Sequence, residues 1–362
     1  MFLKYSLIAV ALTAAVPLNA MESSAGKLTV TLIADGFDEP WSVEHLPDGA
    51  VLVSERAGSL TYLHPNGTRH KISGVPDVVD NGQGGLLDIM IPRDFEQSRE
   101  IYLSYANRAG GSYGTALGRG KLSSDAKSLV GFKRIFQQAR GATSAKHFGS
   151  RVVEARDGTL FLTIGDRGQR SEAQNLQNHS GTVVRVRRSG VVPPDNPFIG
   201  RPGAEPEIFS YGHRNPQGAA LDLNGNLYVV EHGARGGDEV NKIDAGENYG
   251  WPVISYGRHY SGLKIGEGTS KHGLQQPEHY WDPSIAPSGM MIYSGKLWPE
   301  WRGDIFVGSL KFDMISKLDG KTLSEERLQS SATGRVRDVI EGPNGEIWFL
   351  SVHDGALYEI TP

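Results

Sequence analysis

Cysteine is absent from all 362 residues, so neither a disulfide nor a thiolate-bound metal can hold this chain together. Long apolar runs are almost as scarce. The longest clear one, Tyr5 to Val16, falls well short of the ~20 residues that span a bilayer. Positive charge is not in surplus: 37 Lys and Arg stand against 41 Asp and Glu, for a net charge of −4. That balance argues against nucleic acid or an anionic membrane surface as the partner. Extended stretches with an apolar period of 3.6 residues are also missing, and only Ser171 to Asn178 has room for a helical turn or two.

What is present begins with a leader pattern. Lys4 precedes the apolar run, and Pro17-Leu18-Asn19-Ala20 supplies a small residue at a plausible cut. This is the layout of a secretory signal peptide. The expectation is export to the periplasm or beyond, with residues 1–20 removed and 21–362 forming one domain. An exported chain of this length without disulfides must draw its stability from packing, ring closure or bound ions.

One short pattern recurs along the remainder: a polar turn, usually with Gly, followed by three or four apolar or aromatic residues. It appears at Asp48-Gly49-Ala50-Val51, Arg99-Glu100-Ile101-Tyr102, Asp157-Gly158-Thr159-Leu160, Asn224-Gly225-Asn226-Leu227, Arg302-Gly303-Asp304-Ile305 and Asn344-Gly345-Glu346-Ile347. The mean spacing is about 59 residues, enough for four short strands and their turns plus surface loops. Short aromatic and β-branched runs bounded by Gly, Asn, Asp and Pro are strand chemistry. The pattern predicts an all-β fold, a six-bladed β-propeller of four-stranded antiparallel blades. Closure is expected to pair Leu28 to Leu32 with Ala356 to Ile360. The bland alternative is a β-sandwich of unrelated hairpins.

Five loop segments carry unusual polar chemistry. Asn81-Gly82-Gln83-Gly84-Gly85 permits close backbone approach, though a tight turn explains it as well. In Lys146-His147-Phe148-Gly149-Ser150-Arg151, His147 could be a base, a ligand or a surface residue, and Asp166 follows about one hairpin later. His213-Arg214-Asn215-Pro216-Gln217 is a dense set of donors suited to an anion or a carbonyl. Glu231-His232-Gly233-Ala234 with Asp238-Glu239 offers oxygen ligands for a hard cation, without EF-hand spacing. Lys311 and the pair Arg335 and Arg337 make a basic set; the strand period of two would put both arginines on one face.

In this order, His147 to Arg151, Ile164-Gly165-Asp166, Gly212 to Gly218, Glu231 to Gly233 with Asp238 to Asn241, and Asn248-Tyr249-Gly250-Trp251-Pro252 resemble the soluble quinoprotein sugar dehydrogenases, especially their bacterial aldose sugar dehydrogenase branch. The resemblance runs from about Pro40 to the C-terminus. It implies a propeller that binds pyrroloquinoline quinone (PQQ) and Ca2+ at one end of its channel and oxidises the C1 hydroxyl of a cyclic aldose to a lactone. His147 then matches the general base, Asp166 the carboxylate that supports it, and Arg214 and Asn215 the groups on the quinone oxygens. Gln83, Lys311, Arg335 and Arg337 match further PQQ contacts. The carbonyls of Gly233 and Ala234 match ligands of a calcium on PQQ, and Glu239 and Tyr249 match a second calcium site. Ala234 departs from the Pro common in relatives. The implied partners are an aldose and an unidentified electron acceptor, with a monomer or weak dimer as the assembly. Two other functions fit the residues taken alone: a metal-dependent lactonase using Asp238 and Glu239, and a non-enzymatic carbohydrate-binding propeller.

Overall fold

The computed structural model describes residues 17–109 and 111–362. Among them, six antiparallel sheets follow one another along the chain. Blade 1 runs from Pro40–His45 to Arg69–Lys71, blade 2 from Leu86–Met90 to Leu129–Gln137, and blade 3 from Val152–Glu154 to Ile208–Tyr211. Blade 4 runs from Pro216–Leu221 to His279–Trp281, and blade 5 from Pro287–Ile292 to Glu325–Leu328. Blade 6 starts with Val336–Glu341, Ile347–Ser351 and Ala356–Thr361. The chain's beginning completes it: Gly26–Ala34 adds as the fourth strand and Pro17–Ser23 as a fifth. Val30 pairs with Ile360 and Thr31 with Glu359, so the expected closure is present in register. The first strand of each blade packs against those of its neighbours, and blade 6 meets blade 1.

The repeat seen in the sequence has one structural meaning. Val51, Ile101, Leu160, Leu227, Ile305 and Ile347 all lie at or near the start of the second strand of a blade. The polar turn before each therefore leads into the second strand, directly after a tight reversal in blades 1, 3, 4 and 6 and after a longer connection with one short helical turn in blades 2 and 5. Strand alternation sends the apolar residues on either side of these turns into the spaces between blades. One buried apolar cluster fills each space: Leu52, Leu60 and Leu103 lie between blades 1 and 2, and Met291, Phe306 and Phe349 between blades 5 and 6. Truncating one such fully buried leucine to alanine costs roughly 2–5 kcal/mol.

Two local expectations meet the structure. Within Ser171 to Asn178 the helical element is one short 3-10 helix, Arg170–Gln174. The apolar leader Tyr5 to Val16 lies outside the described residues, whereas Pro17 to Ala20 open the outermost strand of blade 6. No helix among the described residues is long and apolar enough to cross a membrane.

Candidate active site

In each blade the loop before the first strand and the loop after the second lie at the same end of the ring, because the two strands are antiparallel. Gln83, His147, Arg214, Asn215 and Arg335 precede first strands, while Asp166, Gly233 and Lys311 follow second strands. Topology alone thus carries eight of the expected residues, from five blades, to one mouth.

His147 and Asp166 form a directly bonded pair. His147 Nδ1 lies 2.7 Å from Asp166 Oδ1. The carboxylate fixes the proton on Nδ1 and leaves the lone pair on Nε2, the state a base requires. Asp166 is itself held by the Gly168 N–H at 2.7 Å and the Trp251 indole N–H at 2.8 Å. Burial pushes the Asp166 carboxyl upward, but the bonds from His147, Gly168 and Trp251 outweigh it, so its pKa lies below the usual range. Burial likewise dominates at His147 and lowers its pKa against the opposing pull of Asp166. The imidazole is therefore neutral at neutral pH. Its backbone adopts φ +55°, and the Gln83 side chain accepts the His147 N–H at 2.7 Å. A Cβ on Gly165 would stand 2.2 Å from the His147 carbonyl oxygen, so only glycine fits beneath the pair.

Beside this pair opens a cavity of about 520 Å³ lined by Trp41, Gln83, Asn215, His232, Lys311, Arg335 and Arg337, among others. Among the described residues, Lys311, Arg335 and Arg337 form no ion pair; Arg335 Nη1 donates to the Leu310 carbonyl at 2.9 Å and Arg337 Nη1 to Gln217 Oε1 at 3.0 Å. Burial, then repulsion from Arg335, Arg151 and Arg56, pushes the Arg337 guanidinium down to about 9. Both arginines reach the same cavity, but not by strand alternation. Arg335 sits just outside the strand at φ +47°, and a bulge follows Val336.

Arg214 lies behind the cavity, with its guanidinium 5.4 Å from the Trp251 ring and Nη1 donating to the His232 carbonyl at 3.1 Å. It borders a second, smaller void together with Gly233, Glu239 and Tyr249. Arg214 Nε and His232 Nε2 are buried without a hydrogen-bond partner. Burial, then the neighbouring Arg214 and His147, lowers His232 to about 3. Glu239 is raised to about 8 by burial and by the adjacent Glu231. The Ala234 carbonyl accepts the Arg258 N–H at 3.0 Å and keeps one lone pair free. Tyr249 turns its hydroxyl away, donating to the Lys242 carbonyl at 2.5 Å, and stacks its ring on His213 at 4.7 Å.

Asp238 and Glu239 do not act together. Adjacent strand residues point to opposite faces, and Asp238 is occupied by the Gly233 N–H at 2.8 Å, Ser284 Oγ at 2.7 Å and the Ala286 N–H at 3.0 Å. His179, Glu205 and Glu207 cluster on blade 3 with metal-like spacing. There the Ala139 N–H donates to His179 Nδ1 at 3.0 Å, so Nε2 carries the proton toward Glu207 and has no lone pair for an ion.

Two supporting residues had no role assigned from sequence. Trp251 links Arg214 to Asp166. Arg167 is fully buried, lies 3.3 Å from the Phe148 ring, and donates to the Lys146 and Ser144 carbonyls at 2.9 and 2.7 Å, gripping the His147 loop from below. An arginine directly after Asp166 was the available signal, but its partners lie across a loop.

The family model for glucose/sorbosone dehydrogenase matches residues 37–359. An aldose sugar dehydrogenase of Escherichia coli is 40% identical over 354 residues, covering 95% of each chain. Quinoprotein glucose dehydrogenase B of Acinetobacter calcoaceticus is 26% identical over 403 residues, covering 88% of this chain and 84% of that protein. The crystal structure of a soluble aldose sugar dehydrogenase from Escherichia coli in the apo-form superposes with a TM-score of 0.89 at 38% identity, covering 92% of this chain and 99% of that one.

Proposed function

The chain belongs to the glucose/sorbosone dehydrogenase family, and from that premise we propose that it is a sugar dehydrogenase which, with PQQ and calcium bound, oxidises the C1 hydroxyl of cyclic aldoses to lactones. The observation that carries this reading is a histidine bonded to a buried carboxylate beside a cavity lined by Lys311, Arg335 and Arg337, none of which forms an ion pair among the described residues.

The residues present fit PQQ. It is a tricarboxylate, and Lys311, Arg335 and Arg337 supply unmatched positive charge where it would lie. Gln83 and Asn215 add polar contacts, and the unpartnered Arg214 Nε and His232 Nε2 leave donor or acceptor capacity unspent. The carbonyls of Gly233 and Ala234 and the Glu239 carboxylate suit calcium, and Tyr249, its hydroxyl spent on Lys242, would add only its backbone carbonyl; repulsion between Glu231 and Glu239 is what a cation there relieves. When bound, PQQ supplies a two-electron acceptor for the C1 hydride, and calcium polarises it as a Lewis acid.

The chain's own part is proton handling and electrostatics. His147 Nε2 takes the proton of the C1 hydroxyl while the C1–H bond breaks. Asp166 stabilises the imidazolium that results and keeps the ring from flipping. Arg214 fixes positive charge where negative charge grows, which lowers the barrier because the donor is placed before reaction. Export to the periplasm and an acceptor that reoxidises the cofactor belong to the same proposal. The lactonase alternative loses its ligand pair, since Asp238 and Glu239 face apart.

The test is reconstitution of the apoprotein with PQQ, calcium and an aldose, followed by reduction of an artificial acceptor. Wild type should reduce the dye, and His147→Gln should lower kcat by about 10²–10⁴ while melting normally. Equal turnover by His147→Gln, or lactone hydrolysis without PQQ, would overturn the reading.

A further inference from the structure

The glycine-rich loop that leads into blade 2 carries the side chain that holds the His147 main chain. Asn81, Gly82 and Gln83 are exposed. The Gln83 N–H donates to the Ala145 carbonyl at 2.8 Å, and Gln83 Oε1 accepts the His147 N–H at 2.7 Å. A Cβ on Gly82 would stand 2.6 Å from the Ala145 carbonyl oxygen, so this loop and the His147 loop meet backbone to backbone. His147 itself is under constraint. A φ of +55° is unusual for a residue with a Cβ, and such a posture persists only where the surroundings enforce it.

The other side of the glycine-rich loop is held by Arg56, which follows the second strand of blade 1. Its main chain is tied at both ends: its N–H donates to the Glu39 carbonyl at 3.2 Å, and its carbonyl accepts the Leu86 N–H at 2.9 Å. Through Nη2 its side chain reaches Asp80 Oδ1 at 3.1 Å and Glu39 Oε2 at 3.2 Å. Asp80 stands three residues before Gln83. Arg56 also belongs to the lining of the 520 Å³ cavity. One guanidinium therefore borders the cavity and grips the loop behind the base. Its carboxylate partners are 43% and 53% exposed, so these ion pairs contribute little to global stability.

We propose that Arg56 is a positioning residue for the general base: its ion pair with Asp80 pins the loop whose Gln83 holds His147 in its left-handed posture. The inference rests on the sugar-oxidising reading above and adds to it a residue that acts on His147 through Asp80 and Gln83. The contacts run from blade 1 through the loop before blade 2 to the loop before blade 3. Released from Asp80, a loop with three glycines gains backbone freedom. Gln83 then holds the His147 N–H for less of the time, and Nε2 is less often aligned with the C1 hydroxyl. The loss falls on the chemical step, not on sugar binding or on folding.

The experiment compares wild type, Arg56→Met, Asp80→Asn, the double variant and Arg56→Lys. Its first readout is hydrogen–deuterium exchange of the apoprotein, measured on the peptide that carries residues 144–149. Arg56→Met and Asp80→Asn should each speed exchange there by about three- to tenfold, with melting temperatures within about two degrees of wild type. The second readout is glucose oxidation by protein reconstituted with calcium and saturating PQQ. Each single variant should lower kcat by about three- to tenfold while KM changes less than about twofold. The double variant should lose no more than the worse single variant, because both cut the same link. Arg56→Lys keeps a cation opposite Asp80 and should recover at least half of each loss. Wild-type exchange and kcat in both single variants would overturn the proposal. Weaker PQQ binding by Arg56→Met with kcat intact at saturation would assign Arg56 to the charge of the cavity alone and likewise overturn it. So would losses that multiply in the double variant. Failure of wild type to oxidise any aldose would sink the enzymatic reading instead; exchange in the apoprotein still decides whether Arg56 holds the His147 loop, and unchanged exchange there would deny it.

Discussion

Arg151 is buried in the channel and Arg337 is half-buried at the cavity above it, and their surroundings are opposite. Arg151 Nη1 lies 2.6 Å from Asp88 Oδ1 and Nη2 lies 3.0 Å from Asp338 Oδ1, while Nε donates to the Gln217 carbonyl at 3.3 Å. Burial disfavours its charge, but Asp338 and Asp88 more than offset this and hold its pKa above the usual value. At Arg337 burial, then Arg335, Arg151 and Arg56, push the pKa down to about 9 against a weaker opposing pull from Asp338. One guanidinium is neutralised by the fold and staples blades 2, 3, 4 and 6. The other is left with charge that only a ligand can match. Positive charge without a paired carboxylate thus distinguishes the candidate cofactor site from the scaffold beneath it.

Four substitutions break or sharpen this contrast. The largest effect is expected at the staple: Arg151→Met strands Asp88 and Asp338 in the channel and should cost about 3–5 kcal/mol in denaturant unfolding. A stability loss under about 1 kcal/mol would deny the staple its role. Next comes the supporting carboxylate. Asp166→Asn leaves the fold intact but removes the group that sets the imidazole tautomer, so kcat should fall by about 10²-fold. Its pH profile carries a sign. Wild-type activity must hold from neutral pH to below pH 6.5, the ordinary histidine value, because burial has lowered the His147 pKa. Losing Asp166, which favours the imidazolium, should move that acid limb lower still; an upward move would contradict the assignment.

Arg337→Met tests the other side of the comparison. Titrated with PQQ, the variant should bind about 10- to 100-fold more weakly, as expected for a lost charge-assisted contact. The apoprotein should melt no lower than wild type, since the substitution removes a desolvated, mutually repelled cation. A clear fall in melting temperature with unchanged PQQ affinity would make Arg337 structural like Arg151. The smallest effect concerns calcium. Adding it to chelator-treated protein should raise the melting temperature by a few degrees through preferential binding to the folded state. Glu239→Gln should abolish most of that gain; an undiminished rise would place the stabilising ion elsewhere.

Legibility in the sequence followed distance along the chain. The polar pattern at the start of each second strand spans a handful of residues, and each of the six copies marked a blade. His147 and Asp166 are 19 residues apart across one hairpin, and a carboxylate near that histidine was readable. The facing of Arg335 and Arg337 into one cavity was anticipated for a reason that does not hold, because a left-handed residue and a bulge replace regular alternation there. The sharing of an ion by Asp238 and Glu239 was weighed from adjacency, which in a strand guarantees opposite faces. The roles of Arg167 and Trp251 were invisible because their partners lie on other loops, Trp251 reaching Asp166 across 85 positions.

By itself the sequence determined the class of fold and the blade count and singled out the polar loops that the ring brings to one mouth, since turn and strand preferences act between near neighbours and repeat in each blade. Only the tertiary structure decided which charges are matched. Arg151 meets Asp338 across 187 positions and Val43 meets it across 295, and Arg337 forms no ion pair among the described residues. Those outcomes depend on closing the ring, because only closure sets the first blades beside the last and converts a string of loops into a single mouth.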